Sequence, residues 1–403
     1  MLELDFVQTL AFAGVALLAG EGLRRLIPVL GRYNLPAPVL GGLLVAVVVL
    51  VARGQGATLV QFDTTLQSPL MIAFFTTIGF GASLSLLKVG GPQVLRFFVL
   101  ATIFAVLQNV VGILVALGFG LHPLFGVLAG SVTLTGGPAT GLAFAPLFEE
   151  AGVIGASSVA VAIAIGGIVA GGLVGGPVGT VLVERGRLVT PRRGGSGERI
   201  DVALVETETT VHATTDEDDA WPVLRNLVAI LVAIWVGHWV SRGFAALGMT
   251  LPAYIGAMLV AAVIRNVDDM TGWVGLSHRF INSFGIVTLT LFLVMALMTL
   301  KLWELTGLVL PLVAILLVQV ALAALAAGPV FRLMGRNYEA AVMSGGFIGF
   351  MLGTTANAMA VMRALAERYG PAPRAFLVAP IVGAFFIDFT NAIIITLFLN
   401  IFA

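Results

Sequence analysis

The stretch Ser131-Val132-Thr133-Leu134-Thr135-Gly136-Gly137-Pro138-Ala139-Thr140-Gly141 sits inside an apolar segment, 124–148, that is otherwise long enough to cross a bilayer. Such a crossing takes about 20 apolar residues in a helix. Paired glycines and a proline interrupt a helix, and backbone groups freed at membrane depth persist only where protein or a cavity covers them. A second apolar segment, 339–365, carries the same kind of interruption between Gly345-Gly346 and Asn357. Both segments read as broken or re-entrant elements rather than plain spans.

The rest of the chain supplies the membrane around them. Of 403 residues, 59% are hydrophobic and 10% are charged, against about 25% charged in a soluble domain. Mean hydropathy is +1.06. No water-soluble fold hides that much apolar surface, so the chain is a polytopic, all-helical membrane protein in a lipid bilayer. Soluble enzymes, secreted modules and disordered scaffolds are excluded. Basic and acidic residues balance at 21 each, which gives no footing for a nucleic-acid partner. Cysteine is absent and the four histidines are far apart, so neither a transition-metal site nor an organic cofactor is expected. With no GxSxG elbow and no close pair of intramembrane acids, an enzyme finds no support. The N-terminus is acidic where a signal peptide is basic, so the first apolar segment is expected to be retained.

Twelve hydrophobic segments can be drawn: 6–27, 35–52, 68–87, 94–118, 124–148, 156–183, 221–247, 251–264, 281–300, 305–328, 339–365 and 375–402. One long polar stretch, 184–220, reads as a flexible cytoplasmic linker between repeats at 1–183 and 221–403. The halves match in order. Leu35-Pro36-Ala37 answers Leu251-Pro252-Ala253, the only two lysines (Lys88, Lys301) follow similar leucine patterns, and Gln108 answers Gln319. If both broken segments are re-entrant, ten helices cross. With the N-terminus outside, 18 of 21 basic residues then face the cytoplasm and only Arg53, Arg242 and Lys301 do not. If all twelve cross, the count falls to 10. The charges choose two inverted five-helix repeats with a re-entrant segment each, an architecture of secondary transporters.

At the first interruption, glycine lets backbone approach a ligand and Pro138 suits the first turn of a half-helix, whose positive end attracts a carboxylate. Thr135, Gly136, Gly137 and Thr140 are the substrate candidates there, and Thr354, Thr355 and Asn357 are their counterparts in the second segment. Ser131 is a candidate for Na⁺, and Asn109 a possible ion contact. Asp388, with Asn391 on the same helical face, is the most isolated charge in the chain. It reads as a cation site, an ammonium contact, or a helix-end residue reaching interfacial water. Gln108 and Gln319 read as interhelical glue, and the glycine run 166–179 as a surface for close helix contact. No deep arginine or lysine is available to neutralise an anionic substrate, which makes coupling to a cation the natural complement.

From about residue 35 onward, excluding the linker, the chain resembles the bacterial sodium/glutamate symporter family. The resemblance rests on 38–44 (PVLGGLL), 69–79 (PLMIAFFTTIG), 129–137 (AGSVTLTGG), Met295–Met298 with Leu300–Leu305, and Gly383–Asp388. It implies Na⁺-coupled import of L-glutamate across the bacterial inner membrane, with both termini outside. It also implies a homodimer whose core domains move against a scaffold in an elevator motion. The family's first re-entrant motif has His and Gly where Pro138 and Ala139 stand here, and its second has Pro-Thr where Ala356-Asn357 stand. Other readings are a Na⁺- or H⁺-coupled symporter of a di- or tricarboxylate, and a passive facilitator or channel.

Overall fold

The computed structural model describes residues 2–32, 35–56, 60–190, 220–246 and 252–402; most of the polar stretch, 191–219, lies outside the described residues. The chain begins with β1 (Leu2–Leu4), α1 (Phe6–Leu26), α2 (Pro28–Arg32), α3 (Ala37–Gly54), β2 (Val60–Phe62), α4 (Gln67–Gly81) and α5 (Leu84–Gly118). Next come α6 (Pro123–Val127), a π-helical turn (Leu128–Val132), α7 (Gly137–Glu150) and α8 (Ala156–Arg185). The second half holds α9 (Ala220–Ala246), α10 (Ala253–Thr271), α11 (His278–Met298), a 3₁₀ turn (Leu302–Leu305), α12 (Val309–Leu333), α13 (Tyr338–Met351) and α14 (Thr355–Tyr369). It ends with α15 (Pro373–Ile381), a second π-helical turn (Val382–Phe386) and α16 (Ile387–Phe402).

Each predicted segment holds helix, and local chemistry explains the ends. Asp5 accepts from the Gln8 backbone N–H at 2.8 Å while Gln8 reaches back to Asp5 N at 3.1 Å, a capping box that starts α1. The two Leu-Pro-Ala sequences act alike: Pro36 and Pro252, both extended, are the N-caps of α3 and α10. α1 then crosses α3, and α9 crosses α10, at a glycine. A Cβ on Gly41 would lie 2.1 Å from the Ala16 carbonyl oxygen, and one on Gly256 2.1 Å from that of Gly237. β1 and β2 pair in parallel, Glu3 opposite Gln61, and tie the N-terminus to the α3–α4 connection.

The helices sort into two groups. α1, α3, α4, α9, α10 and α11 pack on one another, as do α5 to α8 with α12 to α16, and far fewer contacts join the groups. Tyr254 of α10, fully buried, bridges them; it stacks on Phe75 of α4 at 4.1 Å and meets Phe144 of α7 edge-on at 5.6 Å. The joint between α4 and α5 is pinned to α10. Asn266 accepts from Leu84 N at 2.9 Å and donates to Ala82 O at 2.8 Å, and the Ser83 hydroxyl donates to Asp269, which pairs with Arg265 at 2.8 Å.

Among the described residues, seven helices are long and apolar enough to cross a membrane by length and composition. Two of the basic residues that the charge count leaves outside sit on tryptophan rings, Arg53 over Trp303 (3.9 Å) and Arg242 over Trp239 (5.6 Å). The segment 375–402, expected as one span, is instead interrupted by a π-helical turn just before Asp388. A π-turn widens the helix by one residue and frees a carbonyl from the usual ladder.

Candidate functional site

Both broken segments are two helices joined by a short turn. His122 and Pro123 start α6, the His122 ring accepting from Leu124 N at 3.3 Å. α6 opens into the π-helical turn, where Gly130 leaves the helical region (φ −100°, ψ −126°). After the turn Thr133–Gly136, Pro138 opens α7 behind Gly137, whose φ of +70° favours glycine. In the second segment the break falls at Leu352–Thr354, C-terminal to the glycines that drew attention to it. Gly345, Gly346 and Gly349 are helical and buried. They admit α8 and α14, and the glycines of α8 meet them: a Cβ on Gly175 would lie 2.8 Å from Gly345 O, and one on Gly167 2.3 Å from Leu352 O. The glycine run of α8 thus makes the close contact its spacing predicts.

The two breaks meet. A Cβ on Gly137 would lie 3.2 Å from Thr354 Cγ2, so the N-terminus of α7 stands against that of α14. Thr354 is extended (φ −139°, ψ 171°), and its hydroxyl caps no backbone N–H of α14. Two helix N-termini brought together carry unsatisfied N–H groups and two positive dipole ends, the arrangement that holds an anion without a basic side chain. Thr355 is half-buried beside Gly383 of the second π-turn, where a Cβ would lie 2.5 Å from Thr355 Oγ1. Thr140, buried in the first turn of α7, packs on Gly136.

Three of the four cation candidates are tied together. Asn109 Oδ1 accepts from Ser131 N at 2.9 Å, and Asn391 Nδ2 donates to Ser131 O at 2.9 Å. All three are fully buried, yet Ser131 Oγ, Asn391 Oδ1 and Asn109 Nδ2 have no partner. A buried polar atom left unpaired costs about 1–3 kcal/mol. A hydroxyl and an amide oxygen both unpaired around one π-turn are donors of the kind hard cations take. Asp388 lies one turn before Asn391 on α16, half-buried, and makes no hydrogen bond or ion pair among the described residues.

Asn357 faces elsewhere. Its amide donates to Ile168 O at 3.0 Å and Gly349 O at 3.2 Å, fastening α14 to α8 and α13. The Thr135 hydroxyl is also engaged, donating to Gln108 Oε1 at 2.6 Å. Between the two helical groups lies a cavity of about 300 Å³, with Gln67 and Thr299 on one side, Leu142, Glu149 and Ser158 on the other, and Lys301 at the rim.

Comparison with known proteins gives the family. The family model for sodium/glutamate symporters matches residues 2–371. The chain belongs to the sodium/glutamate symporter family. It is 41% identical over 401 residues to the sodium/glutamate symporter of Escherichia coli, covering 99% of this chain and 98% of that one. The symporter of the same name from Haemophilus influenzae is 38% identical over 388 residues, 96% and 95% of the two chains. The family match spans both broken segments and ends before Asp388 and Asn391, which the E. coli alignment still covers. The chain is a multi-pass membrane transporter and not an enzyme.

Sequence reasoning found both interruptions and the amide and hydroxyl side chains around them. It missed the second π-turn; its reading of Gln108 and Gln319 as interhelical glue agrees with their bonds, Gln108 tying α5 to Met351 of α13 and Gln319 tying α12 to α5. The signal for the π-turn is slight: a single glycine, Gly383, in an apolar helix three residues after Pro380.

Proposed function

We propose that the chain imports L-glutamate across the bacterial inner membrane, driven by Na⁺. The observation that carries this reading is the juxtaposition of two helix N-termini at Gly137 and Thr354. The substrate's carboxylates bind the N–H groups and hydroxyls at that junction, with Gly136, Gly137 and Thr140 on α7 and Thr354 and Thr355 at α14. Thr135 and Asn357 support these ends through bonds already made. Na⁺ takes oxygens from Ser131 and Asn391, with Asn109 holding the turn and Asp388 supplying the negative charge. Because Ser131 lies five residues before Gly136, filling the cation pocket firms the turn that ends at the substrate site.

The halves act as inverted repeats, each crossing five times, with both termini outside. Support comes from their matched packing: α1 on α3 answers α9 on α10, α3 on α11 answers α10 on α4, and α5 on α6 answers α12 on α13. Access alternates as the group α5–α8 with α12–α16 slides as a core past the other group, which forms the scaffold and the homodimer contact. The test is uptake of labelled L-glutamate into proteoliposomes under an inward Na⁺ gradient, with unlabelled di- and tricarboxylates as competitors. Accumulation with Na⁺ and not with K⁺ is expected. Accumulation of a tricarboxylate in preference to glutamate, or uptake indifferent to Na⁺, would overturn the reading.

A further inference from the structure

One side chain holds both breaks at once. Gln108, fully buried in α5, accepts from Thr135 Oγ1 at 2.6 Å through its amide oxygen and donates to Met351 O at 2.8 Å through its amide nitrogen. Thr135 is two residues before the first residue of α7, and Met351 four before the first of α14. The Met351 carbonyl can only accept, which fixes which end of the amide faces which break. Gln108 is held in its turn, because Gln319 of α12 donates its amide to the Gln108 backbone oxygen at 2.7 Å. These bonds join residues 27, 243 and 211 apart in sequence.

A glue residue would join two helices anywhere along their contact. This amide joins the turn before α7, at Thr135, to the last residue of α13, Met351, where the second break begins, and so bears on the gap between Gly137 and Thr354. We propose that Gln108 is the positioning residue of the substrate site, its amide acting as the spacer that sets the separation of the α7 and α14 N-termini. The inference rests on the reading that those termini bind the substrate. Gln108 is not itself a substrate contact. Both ends of its amide are used, and the Thr135 hydroxyl it accepts from also lies 3.6 Å from Met351 Sδ. The long Gln side chain matters: Asn, one methylene shorter, cannot reach Thr135 and Met351 together.

The test has two arms. In Na⁺-driven uptake, Gln108→Leu is expected to raise the KM for glutamate about tenfold while kcat and the Na⁺ half-saturation change by less than about twofold. Gln319→Leu, which touches neither turn, is expected to raise that KM less. Should Gln108→Leu not fold, Gln108→Met, unbranched and close in volume, carries the same expectation. The second arm needs no transport. The chain has no cysteine, so Ala139→Cys with Ala356→Cys places two spin labels beside the two N-termini. Pulsed EPR is expected to give one narrow distance distribution with Gln108 in place and a broader or shifted one with Gln108→Leu. An unchanged distribution overturns the inference whatever the chain carries. An unchanged KM, against a wild type that does take up glutamate, overturns it too and leaves the function standing. A wild type that takes up no glutamate breaks the functional reading instead, and the distance arm then decides this one alone.

Discussion

The two broken segments are the same device built with different chemistry. Each ends one helix, turns, and starts another with its N-terminus at the shared junction. The first, however, enters through a π-turn and leaves Ser131 Oγ and its neighbours Asn109 Nδ2 and Asn391 Oδ1 unpaired. The second enters through an unbroken α13, and there Asn357 spends both amide hydrogens on Ile168 and Gly349 and leaves only its own Oδ1 unpaired. Each break thus brings a helix N-terminus to the junction, and the first alone adds a buried cluster of Ser131, Asn109 and Asn391 at a π-turn. At the position answering Asn109, one past Gln319, the second half has Val320, which has no polar atom to offer.

That contrast can be broken at four places. The largest effect is expected from Asp388→Asn, which removes the carboxylate one turn before Asn391 on α16. Na⁺-driven uptake should fall on the order of 100-fold, about 2.7 kcal/mol; uptake unchanged would strip Asp388 of its role. Gly137→Ala comes next, because it adds a Cβ at φ +70° and 3.2 Å from Thr354 Cγ2. It should raise the glutamate KM by roughly tenfold, and the account fails if Ala is accepted there at no cost. Ser131→Ala should sharpen the division of labour. Na⁺ half-saturation should rise about fivefold, with the glutamate KM at saturating Na⁺ nearly constant. An equal rise in both would merge the two sites. The smallest effect is expected on the other side of the comparison. Asn357→Leu should cost stability of roughly 0.6–2 kcal/mol, as lost interhelical bonds do, and leave the Na⁺ half-saturation alone. Thermal unfolding of the purified protein checks it.

Much of this comparison was legible before any coordinates. Glycine and proline in an apolar run announce a broken helix wherever the run lies, so both interruptions could be read locally, and the Leu-Pro-Ala pairs announce helix starts for the same reason. The proposed cation ligands drew attention in the sequence because Asn109, Ser131, Asp388 and Asn391 are polar groups with nowhere to hide in lipid; that Asn109 and Asn391 both bond Ser131 was not legible. The exact break in the second segment was not. Gly345, Gly346 and Gly349 break nothing because α8 and α14 press against them, α8 through Gly171 and Gly175 far away in sequence and α14 through Ala358 and Met362. The second π-turn was hidden because Val382–Phe386 is apolar enough for an ordinary helix. The double duty of Gln108 was hidden for a further reason: Thr135 stood out as a substrate candidate and not as its partner, and Met351 offers Gln108 only its backbone.

The central claim, that Na⁺ and glutamate meet where α7 and α14 begin, is tested most directly by thiol protection at that place. Ala356 is exposed in the first turn of α14, and Ala356→Cys gives a single reactive thiol in a chain with no cysteine of its own. Its alkylation rate would be followed with Na⁺ or K⁺, with and without L-glutamate. The account predicts slowing by glutamate in Na⁺ and none in K⁺. Equal rates in all four conditions, in protein that still takes up glutamate, would contradict it.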